Sequence, residues 1–166
     1  IKVETQQQSI WLSAQCDATH WLGQTVRMLV LCNINKLASN FTQLKRQTNQ
    51  ASARDPITGL SNRPHALERM EDMHKHGKRY GSQFTIALVD IDNFKRINDR
   101  FGHDYGDKAI QTVAQVLQRE CRDTDFVARI GGEEFGVILP HTTPQEADYV
   151  LNRLRIAISI EFDNVV

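Results

Sequence analysis

Residues 129 to 139 read RIGGEEFGVIL, two glycines and two glutamates set inside an apolar run. A second acidic group, Asp90 and Asp92, closes the apolar segment QFTIALVDID. If that segment is a strand, Phe84, Ile86, Leu88, Asp90 and Asp92 project to one face, and the two aspartates sit at its carboxyl end. In sheets flanked by helices that end is where ligands gather. Gly131 and Gly132 permit positive φ at a two-residue turn, which is expected to present Glu133 and Glu134 where the chain re-enters the sheet. With the hairpin beside the strand, Asp90, Glu133 and Glu134 converge. Three like charges held together need a cation among them. Oxygen donors without His or Cys suit a hard ion, magnesium or manganese, which is also the usual partner of nucleotide phosphates. An isolated Glu-Glu pair in a hairpin would be read as solvated turn residues, but from average usage the word GGEEF arises by chance only about once per million positions.

The elements that must position these carboxylates are legible from periodicity and punctuation. Asp55-Pro56 and Thr58-Gly59 are turn chemistry. Ser61 or Asn62 caps a helix that Pro64 opens, running to about Lys78 and ending near Gly77 or Gly81. The strand QFTIALVDID follows. After a short loop, DYGDKAIQTVAQVLQREC carries Ile110, Val113, Ala114 and Leu117 as a helical stripe. DFVARI, the glycine pair and EFGVILP read as a hairpin. A last helix, about Pro144 to Ile158, has Thr142 or Thr143 as its cap. The order α-β-α-β-β-α predicts a two-layer α+β fold with an open sheet.

Upstream, residues 1–23 are polar with two tryptophans and read as the remnant of a preceding segment. Residues 24–53 contain no proline or glycine, and Val30, Ile34, Leu37, Phe41, Leu44, Thr48 and Ala51 recur at alternating spacings of four and three. That seam predicts a long coiled-coil-type helix, a signalling and dimerisation stalk, with packing against its own domain as the competing reading. The third segment is 54–166.

The chain has 166 residues, 40% hydrophobic, enough for one core and an appendage. Twenty basic residues balance twenty acidic ones, so no global field favours nucleic acid or an anionic membrane. Cys16, Cys32 and Cys121 are odd in number and widely spaced, which fits free thiols in a reducing compartment. His20, four residues after Cys16, makes no metal site by itself. The longest apolar stretch, VRMLVLCNI, is too short to span a bilayer. A cytoplasmic location is expected, with a parent protein that could be tethered through other regions.

GGEEF, together with DPITGLSNR at 55–63 and VDIDNFKRINDRFGHDYGD at 89–107, resembles the diguanylate cyclase family, whose domain is called GGDEF. The resemblance runs from Asp55 to about Ile158. It implies a nucleotidyl-cyclase or palm-like open sheet with flanking helices, and condensation of two GTP into cyclic di-GMP with release of two pyrophosphates. It further implies that Asp90, the Ile91 carbonyl and Glu134 hold magnesium (or manganese) against the triphosphate, two ions per GTP, and that Glu133 adds coordination or helps deprotonate the attacking 3′-hydroxyl. Two-metal phosphoryl transfer needs such carboxylates. Lys95 would meet phosphate beside the first amides of a short helix. Asp107 would accept both donors of the guanine edge, Asn98 supplying a further bond, an arrangement that rejects adenine. Arg122 and Asp125, with Arg153 on the last helix, resemble an inhibitory product site for cyclic di-GMP. Each domain would supply half a reaction centre, so two must meet face to face, the stalk controlling their encounter. No nucleic-acid partner is implied.

The family domain continues past the last helix with a further strand, a hairpin and a helix bearing a lysine and an arginine that reach the phosphates. Their absence predicts an unpaired sheet edge and low activity for residues 1–166 alone. Two other classes stay open: an inactive GGDEF domain that binds cyclic di-GMP or GTP as a regulatory module, and a dimerisation scaffold.

Overall fold

A computed structural model describes the backbone of residues 2–6, 9–13, 26–30 and 53–164, with side chains over 53–162. β1 (Lys2–Gln6) and β2 (Ser9–Ser13) form an antiparallel pair. The principal sheet contains β3 (Val26–Val30), β4 (Phe84–Ile91), β5 (Phe126–Arg129) and β6 (Glu134–Pro140) in the order β3-β4-β6-β5, every pairing antiparallel. The helices are α1 (Arg63–Tyr80), α2 (Phe94–Phe101), α3 (His103–Glu120) and α4 (Pro144–Asn164).

Local chemistry sets the helix ends. Asn62 is the cap of α1, its side chain accepting from the His65 amide at 3.2 Å, and Gly81 ends the helix at φ 70°. Thr143 and Glu146 form a reciprocal capping box on α4: the Thr143 amide and hydroxyl donate to the Glu146 carboxylate, each at 2.8 Å, and the Glu146 amide donates back to the hydroxyl at 3.2 Å. α4 runs a turn and a half beyond the expected end at Ile158, because Phe162 is also buried in the core and extends the apolar stripe.

The period-two alternation of β4 divides its side chains between two faces. Ala87, Val89 and Ile91, with Phe135, Val137 and Leu139 of β6, meet Val113, Val116 and Leu117 of α3 and Leu151, Leu154 and Ile158 of α4 in the main core. Phe84, Ile86 and Ile138 form a smaller cluster against Met70 and Met73 of α1. Helices therefore cover both faces, where the sequence order suggested two layers. Cys121, half-buried after α3, is a free thiol that burial and the nearby Asp125 carboxylate push up to about 12, so at neutral pH it behaves as a small apolar side chain.

Residues 26–30 correct the helix expected over 24–53, because they form a strand. Val26 pairs with Ile91 and Val30 with Ala87, so the outer edge of β4 is paired. The apolar spacing that fits a heptad also includes β-branched residues suited to a strand, and the unpaired amides and carbonyls of β4 decide between them. Residues 31–52, which carry Ile34, Leu37, Phe41, Leu44, Thr48 and Ala51, lie outside the described residues, as do Cys16, His20 and Cys32.

Candidate active site

The register of β4 and β6 places Asp90 directly opposite Glu134. Opposed residues of an antiparallel pair share a face with Cβ atoms about 5 Å apart, so two carboxylates stand side by side at the end of the central strands. The next residues tie the hairpin to β4 through backbone: the Ile91 amide donates to the Glu133 carbonyl at 3.4 Å. Within the hairpin the Ile130 and Gly131 amides both donate to the Glu134 carbonyl, at 2.9 and 3.2 Å.

The connection spans residues 130–133, and neither Gly131 nor Gly132 takes positive φ, which corrects the two-residue turn expected there. Glycine serves close approach here instead. A Cβ on Gly131 would collide with the Glu134 carboxylate and stand 3.2 Å from its Cβ. Around Gly132 there is open space. The hairpin tip thus keeps one glycine under a carboxylate and another facing an unobstructed approach.

Glu133 is half-buried and Glu134 exposed. Among the described residues no group of three or more His, Cys, Asp and Glu side chains forms a metal cage. What stands instead is a two-carboxylate edge with backbone oxygens nearby. That donor set fits magnesium, which keeps several waters and uses one or two carboxylates plus substrate phosphates, rather than an all-protein cage.

Beyond Asp90 and Asp92 the chain turns sharply into α2 through Asn93, a non-glycine residue at φ 54°. Strained backbone of this kind clusters at functional sites. Lys95 is exposed in the first turn of α2. α2 and α3 pack so closely that a side chain at Gly106 would collide with Asn98 Oδ1 and stand 3.0 Å from the Phe94 ring. Asn98 Oδ1 is buried against Gly106 without a hydrogen-bond partner. Asp107, next after Gly106, is exposed in the first turns of α3. The structure therefore brings Asn98 and the Gly106–Asp107 step together.

Arg122, Asp125 and Arg153 gather around the C-terminal end of α3. The Arg122 amide donates to Asp125 Oδ2 at 2.9 Å and the Asp125 amide to the Arg122 carbonyl at 3.0 Å, so Asp125 closes a tight turn. Arg153 reaches over from α4 to the Glu120 carbonyl at 2.6 Å. Arg122 and Arg153 line one cleft of about 430 Å³; Asp125 does not.

A residue to which the sequence reading gave no role ties the hairpin to the start of the domain. Arg129, 11% exposed, places Nη1 at 3.1 and 3.3 Å from the two carboxylate oxygens of Asp55, while Nε and Nη2 donate to the Gly132 carbonyl at 3.1 and 2.6 Å. Asp55 Oδ1 also accepts from the Thr58 amide at 2.9 Å and hydroxyl at 2.8 Å. Burial by itself pushes the Asp55 carboxyl up, but the bonds from Thr58 and Arg129 outweigh it and hold the group below its ordinary 3.8. The stability that follows is fully present above the unfolded value and is lost as pH falls through the lower folded one. The stability difference between the wild type and Asp55→Asn is therefore expected to be constant from neutral pH to about 5 and to shrink on further acidification. Urea unfolding at a series of pH values checks this, and a difference independent of pH down to 2.5 would contradict it.

The available signal for Arg129 was its position: a lone arginine in the otherwise apolar FVAR strand, immediately before the hairpin turn, needs a partner.

Residues 52–162 match the family described as diguanylate cyclase, GGDEF domain. The chain is 46% identical over 110 residues to diguanylate cyclase DgcP of Pseudomonas aeruginosa, a match covering 66% of this chain and 16% of DgcP. Among solved structures it resembles diguanylate cyclase SiaD of P. aeruginosa, determined in complex with its activator SiaC, at 38% identity and TM-score 0.62, covering 75% of this chain and 49% of that one. It also resembles the GGDEF domain of DgcB from Caulobacter crescentus in complex with c-di-GMP, at 32% identity and TM-score 0.62, covering 66% and 64%. The chain thus spans about a sixth of DgcP and about half of the SiaD chain. With the GGEEF hairpin set beside β4 and its sequence matched across the whole α/β unit, the chain belongs to the diguanylate cyclase GGDEF-domain family.

Proposed function

We propose that the protein carrying this chain condenses two GTP into cyclic di-GMP and two pyrophosphates, each 3′-hydroxyl attacking the α-phosphate of the other nucleotide. The observation that supports this most directly is the placement of Asp90 opposite Glu134 at the strand ends, with the Ile91 amide tied to Glu133. Asp90, Glu134, the Ile91 carbonyl and Glu133 would hold magnesium or manganese, two ions per GTP. Bound there, such ions neutralise the triphosphate and favour ionisation of the attacking hydroxyl.

The chain's own residues do the rest. Lys95 offers a point charge to phosphate beside the first amides of α2. The Asp107 carboxylate accepts from both donors of the guanine edge, with Asn98 supplying a further bond, and that edge presents donors where adenine's does not. Two domains face each other, because one site binds one GTP and holds half of the reacting groups. The part of segment 24–53 beyond β3, residues 31–52, would govern that encounter. Arg122 and Arg153 take the product and slow further turnover, as a guanidinium fork suits both phosphate and the O6/N7 edge of guanine. DgcB, solved with c-di-GMP, supports a product-binding reading by likeness. The reaction belongs in the cytoplasm, where GTP is available.

Chromatographic product analysis of the full-length protein with GTP and magnesium tests the proposal. Cyclic di-GMP and pyrophosphate in a ratio of one to two are expected. Binding of cyclic di-GMP with no turnover by the full-length protein would replace it with a regulatory-module reading.

A further inference from the structure

The cleft holding Arg122 and Arg153 contains one large planar side chain, Tyr149, whose role neither the hairpin nor the arginines explain. We propose that Tyr149 is the surface on which a guanine of bound cyclic di-GMP stacks, so that this cleft reads the base as well as the phosphates. This rests on the reading of Arg122 and Arg153 as the product site.

Tyr149 is 81% exposed, the most exposed of the large hydrophobic side chains among the described residues, and yet it lines the cleft. Arg153 follows it by four positions on α4, so the two side chains are neighbours on one helix face. Val150 adds apolar lining, and Arg122, His141, Thr142 and Glu146 complete it. The backbone around the cleft is fixed: His141 sits at φ 51° with its amide on the Gln83 carbonyl at 2.9 Å, and Glu146 is engaged by Thr143. A cleft of about 430 Å³ lies within the range of small-molecule sites.

The arginines supply charge and hydrogen-bond donors in a plane, which suits phosphate and the base edge. A purine also has two flat apolar faces, and only a ring covers one well. An exposed tyrosine supplies that ring with two side-chain torsions to fix. Arg153 beside the stacked base adds a cation over a π-system. The proposal thus assigns Tyr149 to affinity for the nucleobase, separately from the charges that attract any polyphosphate.

Calorimetric titration of the full-length protein with cyclic di-GMP tests it, using Tyr149→Ala, Tyr149→Phe and Arg122→Ala. Because the side chain is exposed, thermal unfolding of both Tyr149 variants should match wild type and show that they are folded. Tyr149→Ala should weaken binding about tenfold or more, the scale of one base–aromatic stack. Tyr149→Phe, which keeps the ring, should stay within about threefold of wild type. If Arg122→Ala abolishes binding and Tyr149→Ala leaves it unchanged, the stacking role is overturned while the product site stands. If wild-type protein does not bind cyclic di-GMP at all, the product-site reading fails and this proposal fails with it.

Discussion

Glu134→Gln in the full-length protein is expected to lower magnesium-dependent GTP turnover by about a thousandfold, the loss typical when one preorganised charge of a transition-state site is removed. The substitution keeps the size of the side chain and its place over Gly131 while removing the charge. Asp90 then faces a neutral amide across the strands. Like charges on directly opposed residues destabilise a sheet, so in metal-free buffer the variant should unfold at the same temperature as wild type or slightly higher. Activity and stability thereby move independently, as they do where a charge serves chemistry rather than folding. A third readout follows from mass action. Magnesium with a non-hydrolysable GTP analogue should raise the unfolding temperature of wild type and do much less for the variant. Wild-type turnover by Glu134→Gln would remove this carboxylate from the reaction.

The elements that position the site were legible because each announces itself locally. β4 is a run of apolar and β-branched residues ending in aspartates, α3 a stripe of apolar residues, and the hairpin a glycine pair between apolar runs. Asp90 and Glu134 could be set near each other from sequence because both fall at strand ends, and the register shows them directly opposed. Three features depended on contacts that no local pattern encodes. Residues 26–30 carry spacing compatible with a helix, and pairing with β4, more than fifty residues downstream, makes them a strand. Gly131 was expected to serve turn geometry, but the position of the Glu134 side chain is what excludes a Cβ there. Asp55 was read as a turn residue, which its bonds from Thr58 bear out, yet its second role lies 74 residues away at Arg129.

That second role leads to the other large expected effect. One Arg129 guanidinium joins the Asp55 carboxylate, at the start of the matched domain, to the Gly132 carbonyl in the turn that precedes Glu133 and Glu134. Arg129→Ala removes both arms at once. Asp55, whose side chain is only 17% exposed, keeps its bonds from Thr58 but loses its counter-charge, and the Gly132 carbonyl loses two donors. Breaking a largely buried pair from one side costs about 3 kcal/mol, which should appear as a lower urea midpoint. Arg129→Lys separates the two arms. An ammonium retains attraction to Asp55 but cannot form the planar fork that also grips the turn, so it should recover part of the stability. Turnover should recover less, because the hairpin tether depends on the fork and a misplacement of about 1 Å in a catalytic group costs about a hundredfold. The comparison therefore distinguishes a salt bridge that merely holds the domain together from a clamp that aims the carboxylates. If Arg129→Lys restores stability and turnover in equal measure, positioning of the hairpin does not depend on the Gly132 bonds. If Arg129→Ala leaves both unchanged, the clamp contributes nothing.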